Sequence, residues 1–324
     1  MDQPQFSGEA GPAYRYAVFG LSIASPFPLP ELIEAPAVGA ADVEIALGEP
    51  AAASEEGREG FFSTASGGLL DVHKVARYRI DDGRRITVEP YPTGSERHIR
   101  LYLLGSALGA LLHQRRLLPL HANAMDFGGR AVAFMGASGA GKSTMAAWFH
   151  DRGSSVLADD VCVVTLGEGG EPMAHPGIPR LRLWRDALEA SGRSANAHEH
   201  AFDDADKYNV PTRRGRTSGA IPLGAIYLLD EPGSAAPVQA ITSLRGVAAM
   251  DALVSNTYRG GYAATVGALP QLIATCQALA SKVPVFSVQR VWGRDRLDEQ
   301  MEALERHARD VVERSRSSGI PDVD

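Results

Sequence analysis

Residues 136–143 read Gly-Ala-Ser-Gly-Ala-Gly-Lys-Ser and fill every fixed position of the pattern G-x-x-x-x-G-K-[ST], between an apolar strand-like run, Ala131 to Met135, and a helix-like run starting near Thr144. Nothing else in the chain restricts its fold as much: a strand must deliver this loop and a helix must leave it, so this part of the molecule is expected to be α/β. Glycines let successive N–H groups turn inward around phosphates, Lys142 can reach β and γ oxygens, and Ser143 offers a hydroxyl to Mg²⁺. The expected triphosphate site therefore comprises Gly136, Ala137, Ser138, Gly139, Ala140, Gly141, Lys142, Ser143 and Thr144, with Ser143 as a metal ligand.

Composition narrows the partners. A net charge of −7 lacks the basic excess that non-specific binding to a phosphate backbone needs, so nucleic acid is not an expected partner. The two cysteines, Cys162 and Cys276, form no C-x-x-C pair, which points away from a disulfide framework or zinc site and towards a reducing, cytoplasmic setting. Met1 to Pro12 carries no basic segment followed by an apolar run, so no secretory signal is expected. Leu101 to Leu112 is too short to span a bilayer, which takes about 20 residues, and is read as a core helix; no membrane partner is expected. Assembly into a homo-oligomer is compatible with the sequence.

Along the chain, Tyr16–Phe19, Val43–Leu47, Phe61–Phe62, Ala76–Ile80 and Arg85–Val88 are strand-like, and Asp81-Asp82-Gly83 reads as a hairpin turn. Helical spacing takes over at Leu101. Leu120 to Phe127 and Arg130 to Met135 follow as strands around Gly128-Gly129. Ser155 to Ala158 forms the strand after the loop's helix, and Val161 to Leu166 another. Ser191 to Gly219, polar and charge-rich, is expected to be a mobile loop or lid. Ile221–Leu229 and Val283–Val288 read as strands, with helical runs at Leu244–Leu253, Gln271–Ala280 and Arg294–Glu313. Expected boundaries are residues 1–95 for a small, mostly β N-terminal domain, 96–315 for the domain carrying the loop, and 316–324 for a disordered tail.

A second constellation is Asp159-Asp160, at the end of the strand that follows the loop's helix. Ligands in open α/β sheets bind outside such strand ends, so both carboxylates are expected to face the same crevice as the loop. One can hold Mg²⁺ while the other sits where an acceptor hydroxyl would approach the γ-phosphate. Adjacent residues on a regular strand point to opposite faces, so both serve only if the strand ends or turns there. His121 falls on the strand expected to pair with the one entering the loop, where a near-neutral imidazole suits proton traffic or a contact to phosphate or carboxylate. Arg180 and Arg182, one residue apart, project from one face of an extended segment and suit phosphate or carboxylate recognition. Lys207, Arg213, Arg214 and Arg216 add positive charge. Cys162 and Trp184 are read as packing residues.

Taken together, Leu120-His121, the Gly136–Ser143 loop, Gly153 and Val156-Leu-Ala-Asp-Asp-Val161 resemble the catalytic domain of HPr kinase/phosphorylase and the HPr-kinase-related serine kinases. Phosphoenolpyruvate carboxykinase shares the short loop-to-Asp-Asp arrangement. The resemblance covers about Leu118 to Val164 closely and the remaining C-terminal part loosely, and the chain lacks the LSGGQ-like signature of ABC-type ATPases. It implies an α/β P-loop kinase domain of the HPr kinase/PEP carboxykinase type, behind a smaller, mostly β N-terminal domain. By residue it implies that Lys142 binds β/γ-phosphate, Ser143 binds Mg²⁺, Asp159 is the base towards the acceptor hydroxyl, Asp160 assists the metal, and His121 lines the site.

The chain departs from the bifunctional HPr enzymes at His175-Pro-Gly-Ile-Pro-Arg-Leu-Arg-Leu-Trp184, where those enzymes carry a Gly-rich segment, and throughout its N-terminal part. Pro-Arg-Leu-Arg-Leu-Trp followed by Asp206-Lys-Tyr208 resembles kinases of ribosomal peptide biosynthesis, including lasso peptide maturation, whose acceptor is a serine hydroxyl. The expected activity is transfer of the γ-phosphoryl group of ATP, with Mg²⁺, to a serine of a peptide or small protein, with Arg180 and Arg182 helping to stabilise the spreading charge. Two other readings stay open on the residues: a small-molecule kinase or carboxykinase-like enzyme on the same fold, and a nucleotide-sensing regulator without catalysis.

Overall fold

The computed structural model describes residues 14–48, 59–200, 206–212, 219–230, 239–291 and 296–317. The chain is mixed α/β and divides into two compact units, one of residues 1–119 with 257–274, the other of residues 120–256 with 275–324.

In the first unit, β1 (Tyr14–Val18), β2 (Leu21–Ser25), β3 (Ile33–Glu34), β4 (Val43–Leu47), β5 (Gly60–Thr64), β6 (Gly67–Val72), β7 (Ala76–Asp81) and β8 (Arg85–Pro90) form one sheet of order β3-β1-β2-β4-β8-β7-β6-β5. The expected hairpin joins β7 to β8, its turn closed by Arg84 N–H donating to Asp81 O at 2.9 Å. Helices α1 (Glu96–Tyr102) and α2 (Leu108–Gln114) are joined by a π-helical turn, Leu103–Ala107. Their Ile99, Leu103, Leu104, Leu108, Leu111 and Leu112 are all buried, as expected of a core helix. Among the described residues no helix is long and apolar enough to cross a membrane.

The first compact unit runs on past the β8 strand through α1 and α2 to Pro119. The reason is that the helices are tied to the β7–β8 hairpin. Tyr78 Oη donates to Ile99 O at 2.9 Å, Gln114 Nε2 donates to Ile80 O at 2.8 Å, and Gln114 Oε1 accepts from Gly83 N–H at 2.7 Å. Burial of these groups makes each bond costly to break.

β9 (Leu118–Leu120) spans the division. The expected continuous strand from Leu120 to Phe127 is broken at His121, so β10 covers Ala122–Asp126. The second unit continues with β11 (Ala131–Met135), α3 (Lys142–Asp151), β12 (Ser155–Ala158), β13 (Cys162–Leu166), β14 (Pro172–His175), β15 (Arg180–Trp184), α4 (Arg185–Ala190), β16 (Glu199–His200), β17 (Lys207–Pro211), β18 (Ile221–Leu229), β19 (Ala240–Leu244), α5 (Val247–Ser255), β20 (Val285–Gln289) and a long helix, Leu297–Ser317. Helix α6 (Gly260–Thr265) lies in the first unit, and α7 (Leu269–Lys282) passes from one unit to the other; the C-terminal helix is α8. Arg316 and Ser317 end that helix, and residues 318–324 of the expected tail lie outside the described residues.

The main sheet of the second unit runs β12-β10-β11-β18-β14-β13, with β20 beside β18 and β19 beside β20. β11, β18 and β20 are parallel, and β12 runs the same way across the antiparallel β10. The carboxyl ends of four strands therefore point to one edge. β15, β17 and β16 form a separate small sheet, which places Lys207–Pro211 in a strand where a lid was expected; residues 201–205 and 213–218 of that stretch lie outside the described residues.

Every residue of β11 is buried, as befits a strand covered on both faces. Phe134 stacks on Phe149 of α3 and on Tyr227 of β18, with ring centroids 5.6 and 5.5 Å apart, and Tyr227 stacks on Phe286 at 5.1 Å. Met301, Leu304, Ala308, Val311 and Val312 give α8 a buried stripe at helical spacing against the same core. Because Phe134 is fully buried among these rings, Phe134→Ala should cost about 3–5 kcal/mol and lower the melting temperature of this unit by roughly 6–20 °C. Thermal unfolding followed by circular dichroism checks it; a shift under about 2 °C would show that the ring stack does not hold the sheet to α3.

Candidate functional site

The four strand ends carry chemistry. β11 runs into Gly136, β12 into Asp159-Asp160, β18 into Asp230 and β20 into Arg290, while His121 and Asn123 enter at the amino end of β10. One cavity of about 860 Å³ lies there, lined by His121, Asn123, Ser138, Gly139, Gly141 to Thr144, Asp159, Asp160 and Arg182, with Trp184, Arg185, Glu189, Asp206 and Lys207 also in its wall. Its size falls within the range usual for small-molecule sites.

The glycine-rich loop turns because Gly136 has φ +148° and stands where a Cβ would meet Leu229 O at 3.0 Å. Gly141 precedes α3, whose first turn has no side-chain cap; its N–H groups and the helix dipole make that end an anion site. Lys142 folds back over the loop, donating from Nζ to Gly136 O at 2.6 Å and Ala137 O at 3.0 Å. Burial holds its ammonium pKa below the usual lysine range, with Lys207 adding to the effect and Asp160 and Asp159 opposing it. Behind the loop, Arg290 donates from Nη2 to Ala140 O at 2.7 Å and pairs through Nε with Asp230 Oδ1 at 3.0 Å. Sequence reasoning missed this brace, since both residues simply end strands; their position is visible only once β18 and β20 are known to be parallel neighbours of β11.

The two aspartates meet the condition set by their adjacency. Asp160 has φ +70°, so the chain leaves the strand there and both carboxyl groups line the cavity. Asp159 Oδ2 accepts from Arg182 N–H at 2.7 Å, whereas its buried Oδ1 has no hydrogen-bond partner. Burial, reinforced by the neighbouring Asp160 charge, pushes the Asp159 carboxyl up to about 6. Asp160 behaves oppositely. Burial would raise it too, but Arg182 above all, then His121, Lys207 and Arg180, outweigh burial and hold it below the usual carboxylate range. Arg182 Nη1 sits 2.6 Å from Asp160 Oδ2.

His121 Nδ1 lies 3.1 Å from the Asp160 carbonyl oxygen, which can only accept, so Nδ1 carries the hydrogen. Burial, with the Lys142 charge, lowers the imidazole pKa against the pull of Asp160 and favours the neutral ring. Asn123, which the sequence did not single out, is fully buried; its Oδ1 accepts from Asp160 N–H at 3.4 Å, and its Nδ2 has no hydrogen-bond partner. Unpaired buried polar atoms are costly, and Asn123 Nδ2 and Asp159 Oδ1 both belong to residues lining one cavity.

Gly177 sets β15 against this edge. Its N–H donates to Leu157 O at 2.9 Å, and a Cβ there would stand 3.1 Å from Ala158 Cβ and 3.3 Å from Val161 O. β15 then alternates: Leu181 and Leu183 are buried in the core containing α3, and Arg182 reaches Asp160. Arg180 adds charge towards Asp160 but is not among the residues lining the cavity. Arg213, Arg214 and Arg216 lie outside the described residues. Trp184, expected in the core, is instead 41% exposed and lines the cavity, because it alternates with Leu183 on a strand of the small sheet.

Ser143, the second residue of α3, lines the cavity together with Thr144 and both aspartates. Among the described residues no group of three His, Cys, Asp or Glu is arranged to hold a metal ion. Mg²⁺ bound to a nucleotide takes most of its ligands from phosphate and water and needs only one or two from protein. The Ser143 hydroxyl fits that requirement, while Asp160, expected to assist the metal, is engaged by Arg182 and His121.

No protein-family model matches the chain, and no curated protein matches it. Among solved structures, that of the Hpr(Ser) kinase/phosphatase from Coxiella burnetii is similar over 62% of this chain and 95% of that one, at 14% sequence identity and a TM-score of 0.35.

Proposed function

We propose that the protein is a kinase that transfers the γ-phosphoryl group of Mg·ATP to a serine hydroxyl of a peptide or small protein. The observation that carries this reading is Asp159: a buried carboxyl with one unpartnered oxygen, poised near neutral pH, in the same cavity as Lys142 and the open end of α3. A site that only held nucleotide would have no use for a poised base.

On this reading the N–H groups at the start of α3 and the Lys142 ammonium receive the phosphates; Lys142 exchanges its bonds to Gly136 O and Ala137 O for bonds to phosphate oxygen. Mg²⁺, held beside Ser143, would offset phosphate charge. The acceptor Oγ–H gives its proton to the Asp159 carboxylate as the new Oγ–Pγ bond forms and the bond from Pγ to the β,γ-bridging oxygen breaks, its electron pair leaving with ADP. Arg182 keeps Asp160 ionised and, through its own N–H, orients the Asp159 carboxylate. Neutral His121 fixes the Asp160 backbone and so the turn that presents both groups.

Intact-mass measurement tests the reading. Serine-containing candidate peptides incubated with the protein and Mg·ATP should gain one phosphate, and the gain should vanish when the serine is replaced by alanine. Nucleotide binding with no phosphorylated product across peptides and small hydroxyl compounds would refute it.

A further inference from the structure

Lys207 enters the site from β17, opposite Trp184 of β15 in the pairing register. Its Nζ lies 5.6 Å from the centre of the Trp184 ring, a cation–π shelf on a residue that itself lines the cavity. From there the lysine charge is felt at His121, Lys142, Asp159 and Asp160, groups that arrive on three other segments of the chain. Its neighbours are balanced. Arg185 Nε pairs with Asp206 Oδ2 at 2.6 Å, Tyr208 Oη donates to Asp206 Oδ1 at 2.8 Å, and Arg182 is committed to Asp160. Unlike Arg182 and Arg185, Lys207 has no carboxylate within ion-pair distance among the described residues. A partly buried ammonium beside another ammonium, Lys142, is unfavourable unless an anion joins them.

We infer that Lys207 is a catalytic residue of the acceptor side: its ammonium, steadied by Trp184, contacts the equatorial oxygens of the phosphoryl group as it passes from ADP to the acceptor. The inference rests on the kinase reading above. Lys142 stands on the donor side, at the amino end of α3, and Lys207 is carried by the small sheet of β15, β17 and β16. Charge spread over the transferring group is thus held from both directions while the Pγ–O bond to ADP breaks and the bond to the acceptor oxygen forms. A lysine that acts in this way contributes more in the transition state than in the bound nucleotide.

The test compares binding of Mg·ADP with binding of Mg·ADP plus tetrafluoroaluminate, a planar mimic of the group in flight, by isothermal calorimetry on the full chain. Wild type should bind the mimic complex more tightly than Mg·ADP. Lys207→Gln should change Mg·ADP affinity by less than about threefold and weaken the mimic complex by about 10- to 100-fold, the range of one charged hydrogen bond. Lys207→Cys should behave alike and regain mimic binding after alkylation with bromoethylamine, which rebuilds an ammonium of nearly the same length. Cys162 and Cys276 are buried, so the label goes to position 207. Equal affinity of wild type and Lys207→Gln for the mimic, equal loss for both complexes, no preference of wild type for the mimic, or failure of a folded, alkylated Lys207→Cys to recover would each overturn the assignment. Wild-type protein that binds neither Mg·ATP nor Mg·ADP would instead refute the kinase reading itself.

Discussion

Asp159→Asn leaves Mg·ATP affinity within about twofold of wild type and lowers phosphoryl transfer by about 10²- to 10⁴-fold, the range of a positioned general base. The amide keeps the side chain's shape and can still accept from Arg182 N–H, so the loss falls on the rate. The pH dependence follows from the same group. A base must be ionised, and burial with the Asp160 charge sets this carboxyl at about 6, so the wild-type rate should fall about tenfold per pH unit below that value and level off above it. The effect on stability has the opposite sign. A carboxyl whose folded pKa exceeds its unfolded one favours the folded state while protonated, and that advantage is lost as pH rises from about 4 through 6. Asp159→Asn should therefore melt no lower than wild type above pH 7, and a lower melting temperature there would mark Asp159 as a structural residue.

Lys142→Met raises the dissociation constant for Mg·ATP by about 10- to 100-fold while the protein stays folded, as judged by its melting curve. The methionine keeps an unbranched side chain of similar reach without the charge. What disappears is the ammonium, whose two bonds to loop carbonyls are the ones phosphate would replace. Unchanged affinity, measured by calorimetry, would place the nucleotide elsewhere and withdraw the loop from the site.

Much of this site is legible in the sequence, for local reasons. Ala131–Met135 is a short apolar run leading into glycines, a pattern that only a buried strand and a loop satisfy, and Val156-Leu-Ala before Asp159-Asp160 shows a strand end by its abrupt change of polarity. The hairpin at Asp81-Asp82-Gly83 is equally local. Features set by distant pairing are not legible. Strand β6 opens on Gly67-Gly68, which has no strand preference, and is held by its neighbours β5 and β7. Lys207–Pro211 carries only Tyr208 and Val210 as anchors, too few to betray a strand until Arg180–Trp184 is known to pair with it. Trp184 misleads because a tryptophan next to leucines reads as core; its exposure follows from the pleat, which hides Leu183. Asn123 and the Arg290–Asp230 brace carry no motif at all, and their roles come from which strand ends share an edge.

The close approach of Gly177 to the main sheet has a consequence for how such a site can change over generations. The glycine loop, the aspartates and the brace belong to the main sheet, whereas Arg182, Trp184 and Lys207 ride on a small sheet reached through Pro176–Pro179. Positions on that second sheet other than Arg182 and Lys207 can drift, and its connections can lengthen, with the loop and strand ends left as they are. Descendants of one ancestor could thus keep a common way of holding phosphate while diverging in what they modify, and position 177, where a Cβ would crowd Ala158, would resist change.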